Sequence, residues 1–82
     1  MKILVVDDEL TMLSSVKRLL RRYGHRDVTL CDQSQLAIEK INNENYDIVL
    51  LDLIMPAPDG MSVLKSTKPD NPETEFIIVT GV

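Results

Sequence analysis

The sequence predicts an α/β domain, a parallel sheet with helices packed over it. Three observations carry that expectation. Short, wholly apolar blocks recur at Ile3–Val6, Ile48–Leu51 and Phe76–Val79, which is how strands buried on both faces read. Amphipathic helical patterns fall between such blocks, as βαβ units require. Acidic residues follow two of the blocks directly and a threonine follows the third.

Taken in order, Ile3-Leu4-Val5-Val6 is the first strand and stops at Asp7-Asp8-Glu9. Met12, Val16, Leu19, Leu20 and Tyr23 then recur at helical spacing, and this stripe is expected to be core. Lys17, Arg18, Arg21 and Arg22 occupy the remaining positions, and positive charge in the last turns suits the helix dipole. Gly24 supplies a C-terminal cap. Val28–Cys31 is the second strand, with Cys31 read as a buried hydrophobe. Ser34 is the expected N-cap of a second helix carrying Leu36, Ala37, Ile38 and Ile41, which ends in Asn42–Asn45. Ile48–Leu51 is the third strand and runs into Asp52. A loop punctuated by Pro56, Pro58 and Gly60 follows. Asp59 caps a short helix over Met61, Val63 and Leu64. Pro69 and Pro72 break the chain before the fourth strand, Phe76–Val79, which ends in Thr80-Gly81.

Length and composition narrow the functions available. The chain has 82 residues, 44% of them hydrophobic and 27% charged, an ordinary balance for one small domain. The 13 acids exceed the 9 Lys and Arg, for a net charge of −4. A surface that binds nucleic acid needs a basic patch, and this balance argues against one. No apolar run is long enough to span a bilayer. The N-terminus reads as a strand rather than a signal peptide. One cysteine cannot form an internal disulfide, which fits a reducing cytoplasm.

In a parallel sheet the strands' C-terminal ends share an edge, and ligands bind there where the strand order reverses. Asp7, Asp8, Asp52 and Thr80 are all expected at that edge. Without Asp7, Asp8, Glu9 and Asp52 the chain holds 9 acids and 9 bases, so the whole net charge equals this cluster. Crowded carboxylates either keep a proton or take up a cation. An oxygen-only donor set favours a hard divalent ion, Mg²⁺ first. Such an ion beside a free carboxylate suits phosphoryl transfer. A lone acid after a strand is an ordinary cap or loop charge; the joint placement of three is what points to a site. Glu9 is read as a helix N-terminal charge or the rim of the site, and His25 as a surface loop residue.

ILVVDDE (3–9), LLDLIMPAPDG (50–60) and FIIVTG (76–81), in that order, resemble the receiver domain of bacterial two-component response regulators, with the likeness running over residues 1–82. The resemblance implies a flavodoxin-like three-layer sandwich of order 2-1-3-4-5. It implies that Asp52 is the phosphoacceptor, taking a phosphoryl group from a sensor histidine kinase and controlling an output domain or downstream effector, transcription among the possible outputs. Asp8 would bind Mg²⁺ directly and Asp7 through water. Asp52 and the backbone carbonyl of Ile54 would complete the metal set, and Thr80 would be the switch hydroxyl. Pro58 stands where a methionine is common in the family.

The family's fifth strand, its last helices and the Lys-Pro pair after that strand have no counterpart in these 82 residues. The expected sheet order is therefore 2-1-3-4, with the fourth strand a bare apolar edge that pairs with a second copy or swaps elements. Impaired phosphorylation is expected too. Two other functional classes stay open at this point. A haloacid-dehalogenase-type phosphatase also uses an Asp nucleophile with Mg²⁺, but it carries a second Asp two residues on, where Ile54 stands. A protein-interaction module of the same fold, indifferent to phosphorylation, is the other.

Overall fold

In the computed structural model, which describes residues 1–79, four strands form one parallel sheet in the order β2-β1-β3-β4. The elements are β1 (Ile3–Val6), α1 (Leu10–Arg22), β2 (Val28–Cys31), α2 (Ser34–Asn43), β3 (Ile48–Asp52), α3 (Gly60–Thr67), a 3-10 turn over Lys68–Asp70 and β4 (Glu75–Val79). The expected order 2-1-3-4 is therefore observed, and β4 starts one residue earlier than the apolar block indicates.

Side chains alternate across a strand, so each strand serves two cores. Leu4, Val6, Val49 and Leu51 face α2 and α3, where they pack with Ala37, Ile41 and Val63. Ile3, Val5 and Val28 face the opposite way, onto Leu13, Val16 and Leu20 of α1. All four residues of β1 are buried, because the strand lies between β2 and β3 and has a layer on each face.

Two sequence-based expectations need correction. The stripe on α1 is rotated: Leu13 is its buried residue, while Leu19 and Tyr23 are 54% and 77% exposed and Met12 is 44% exposed. The helix turns so that Leu13, Val16 and Leu20 meet β1 and β2, a ridge of spacing three and four that omits Met12 and Tyr23. Ser34 is the first residue of α2 rather than its cap; Gln33 holds the cap position with no side-chain bond. The Ser34 hydroxyl instead donates to the Pro56 carbonyl oxygen at 3.4 Å, so a tertiary partner displaces the local one. The other two punctuation marks hold. Gly24 ends α1 with φ +91°, a conformation natural to glycine, and Asp59 Oδ1 accepts from the Ser62 N–H at 2.9 Å.

The fourth strand is the apolar edge the sequence leads one to expect. Ile77, Ile78 and Val79 are 47%, 38% and 43% exposed. No described helix is long and apolar enough to cross a membrane.

Candidate functional site

The strand order reverses at β1, which pairs with β2 on one side and β3 on the other. The register aligns Val6 with Cys31 and with Leu51, so β1 and β3 run level to that point. The next residues are Asp7 on one strand and Asp52 on the other. Asp7 is fixed further by its N–H, which donates to the Cys31 carbonyl oxygen at 3.1 Å. Asp52 lies opposite Val79 of β4. Sheet register alone therefore sets two carboxylates side by side, and the chain's exit from β1 adds Asp8.

One carboxylate oxygen from each of Asp7, Asp8 and Asp52 lies within 4.8 Å of the others. Asp7 and Asp52 are buried and Asp8 is exposed. Each buried acid is held by the backbone two residues downstream. The Glu9 N–H donates to Asp7 Oδ1 at 2.9 Å, and the Ile54 N–H donates to Asp52 Oδ1 at 3.0 Å. These bonds orient each carboxylate and leave its second oxygen without a protein donor among the described residues. Beneath them is a small cavity of about 30 Å³ walled by Val5, Met12, Val16, Leu50 and Val79. The acids thus sit on an apolar floor.

That setting raises the proton affinity of Asp7 above the ordinary carboxylate value of 3.8. Burial is the main cause. The Glu9 N–H opposes it, and the charges of Asp52, Asp8 and Glu9 add to it. No salt bridge reaches the cluster among the described residues; the ion pair found there, Lys2 with Glu44, involves the residue preceding β1, at the far end of the strands. A cluster of negative charge that lacks an internal cation fits a hard divalent ion by the chemistry of its donors, which are all oxygen.

The sequence-predicted residues divide as follows. Asp7, Asp8 and Asp52 come together. Ile54 lies directly against Asp52 and meets it through its N–H, which the resemblance did not anticipate. Thr80 lies outside the described residues. Glu9 holds the N-cap position of α1, makes no side-chain cap bond and serves the site through its backbone. Sequence reading missed these two N–H donors, although an acid followed two residues later by a free N–H is a common local turn and was available as a signal.

Comparison with known proteins agrees with this fold. A family model for the response regulator receiver domain matches residues 3–82. The transcriptional regulatory protein ZraR of Klebsiella oxytoca is 38% identical over 79 residues, covering 96% of this chain and 18% of ZraR. The transcriptional regulatory protein ResD of Bacillus subtilis is 40% identical over 83 residues, covering 98% of this chain and 32% of ResD. Among solved structures, the response regulator TrrA of Thermotoga maritima, in complex with Mg²⁺ and BeF, superposes with a TM-score of 0.92 at 31% identity. That match covers 100% of this chain and 71% of TrrA. The chain therefore spans less than a third of the two curated relatives named here.

Proposed function

The chain belongs to the response regulator receiver family, and on that premise we propose that it is a phosphorylation switch in which Asp52 is the phosphoacceptor. The observation that carries the reading is the meeting of Asp7, Asp8 and Asp52 at the sheet's switch point. The Asp52 oxygen free of the Ile54 N–H is the nucleophile. It attacks phosphorus in a phosphohistidine of a sensor kinase. A P–O bond forms, the P–N bond breaks, and the imidazole nitrogen keeps the electron pair. The Ile54 N–H holds the other oxygen and so limits rotation of the carboxylate before attack.

Asp8 and Asp52, with Asp7 behind them, would hold Mg²⁺, as would the Ile54 carbonyl. When bound, the ion supplies positive charge against the oxygens of the transferred group. The Mg²⁺ and BeF in the TrrA complex support this assignment, since that fold is shared. Thr80 is assigned to sensing the acyl phosphate, on the resemblance of its motif. The output is a shift between two conformations read by an output domain or an effector, with transcription the natural case given relatives named as transcriptional regulators. The work is cytoplasmic and regulatory, with self-catalysed transfer and hydrolysis at most. No direct contact of this segment with nucleic acid is part of it.

Two finer statements follow. Phosphorylation of these 82 residues by themselves is slow, since the lysine that pairs with the acceptor in this family is not among them. The β4 edge, with Ile77, Ile78 and Val79 in solvent, pairs with a second copy. Light scattering at rising concentration tests the latter, and a persistent monomer refutes it. The function itself is tested by incubating the protein with a small acyl phosphate and Mg²⁺. A gain of one phosphoryl group by intact mass is expected, and none in Asp52→Asn. Equal labelling of Asp52→Asn refutes the assignment. Unchanged signalling by that variant in cells favours an interaction module instead.

A further inference from the structure

We propose that Gly60 is a positioning residue for Asp52, through the space its missing side chain leaves. The assignment rests on the reading of Asp52 as the phosphoacceptor. Gly60 is buried at the start of α3, and its N–H donates to the Leu53 carbonyl oxygen at 3.2 Å. The loop after the acceptor thus closes back on the peptide that leaves it. A Cβ at position 60 would stand 2.2 Å from the Asp52 carbonyl oxygen, 2.5 Å from Leu53 Cα and 2.9 Å from the Asp52 carbonyl carbon. All three atoms are backbone, so no side chain can swing away to make room. The backbone conformation at Gly60 is not in the left-handed region, which belongs to Gly24 among the described residues. Space, not φ, is what demands glycine here.

Both sides of the contact are anchored, but β1 pairs with β3 only as far as Leu51, so the 52–53 peptide is the part that yields. β3 is paired on both edges, with Val49–Leu51 against β1 and Asp52 against Val79 of β4. α3 is pinned by Val63, which is fully buried in the core, and by its Asp59 cap. Any side chain at position 60 must therefore displace the 52–53 peptide. The turn that orients the Asp52 carboxylate, closed by the Ile54 N–H, is built on that same peptide. Displacing it moves the nucleophile relative to Asp7 and Asp8. Gly24 is the internal contrast, because nothing lies within 4 Å of a Cβ there.

The test compares wild type, Gly60→Ala and Gly24→Ala by Mg²⁺ titration followed on amide NMR signals, and by initial rate with a small acyl phosphate. In Gly60→Ala the signals of Asp52, Leu53 and Ile54 shift. Mg²⁺ affinity and initial rate each fall about tenfold or more, as a misplacement approaching an ångström implies. Gly24→Ala loses thermal stability and keeps wild-type Mg²⁺ affinity. A folded Gly60→Ala with wild-type affinity and rate overturns the proposal. If that variant is unfolded in buffer, the titration is repeated in trimethylamine N-oxide, which favours the compact state, and the same two outcomes decide. A wild-type protein that does not bind Mg²⁺ removes the site and the role of Gly60 with it. Wild-type binding alongside equal binding by Gly60→Ala removes only the positioning role.

Discussion

The two ends of the sheet treat charge in opposite ways. At the end where the strands begin, several charged and polar groups have partners. Lys2 Nζ meets Glu44 Oε1 at 2.9 Å, and the Lys2 N–H donates to Asp47 Oδ2 at 2.7 Å. The Thr74 hydroxyl, buried, donates to the Tyr46 carbonyl oxygen at 2.7 Å, and the Glu75 N–H reaches the Asp47 carbonyl oxygen at 2.9 Å. These bonds tie β1, β3 and β4 together at their starts. At the other end Asp7, Asp8 and Asp52 converge with no cation among the described residues. One end is a clasp of paired groups, with the buried Tyr46 hydroxyl left without a partner among the described residues. The other is a set of like charges that only an added ion or proton can satisfy. Paired groups gather at the first and unpaired carboxylates at the second, a division between scaffold and site.

Substitutions at the two ends should therefore separate cleanly. The largest effect belongs to Asp52→Asn, which is expected to abolish phosphoryl uptake while the far-UV circular dichroism stays that of the wild type. A labelled Asp52→Asn protein would break the contrast at once. Next comes Thr74→Val, which leaves the buried Tyr46 carbonyl oxygen without its donor and should cost about 1–2 kcal/mol in urea unfolding. Mg²⁺ affinity should not change. A fall in affinity equal to the loss of stability would show that the two ends are not independent.

Asp8→Asn should do the reverse. Without metal, removing one of three crowded charges is expected to stabilise the protein by roughly 1 kcal/mol, with Mg²⁺ affinity sharply weakened. A less stable variant would mean that these charges are satisfied in some other way.

The smallest effect is that of pH. Asp7 has its folded proton affinity raised, so it contributes stability that is fully present below the unfolded value of 3.8 and is lost as pH rises through its folded value. Because the metal competes with that proton, Mg²⁺ affinity should begin to fall, on acidification, above the pH range of an ordinary aspartate. Asp7→Asn should remove this dependence. A titration curve that Asp7→Asn leaves unchanged would assign the proton elsewhere.

Much of this was legible in the sequence, and the parts that were not share a cause. The strands were readable because β1 is buried on both faces and β3 is buried on one and half-buried on the other, which leaves an unbroken apolar run. The three acids were readable because they directly follow such runs. The rotation of α1 was not, since Leu13 and Met12 are equally apolar and only packing against Ile3, Val5 and Val28 selects between them. Ser34 misled for a similar reason: a hydroxyl at a helix start can cap locally or reach a neighbouring loop, and Pro56 decided it. The need for glycine at position 60 could not be read at all, because it depends on how closely α3 approaches the end of β3. Local pattern locates the charged groups; three-dimensional approach determines how they are held.

Calorimetric titration of the wild-type protein with Mg²⁺ at neutral pH, beside Asp8→Asn and Thr74→Val, is the most direct examination of the central claim. Saturable one-site binding is expected in wild type and in Thr74→Val, and its loss in Asp8→Asn. Absence of binding in the wild type, or equal binding in Asp8→Asn, would contradict the claim that these carboxylates form one cation site.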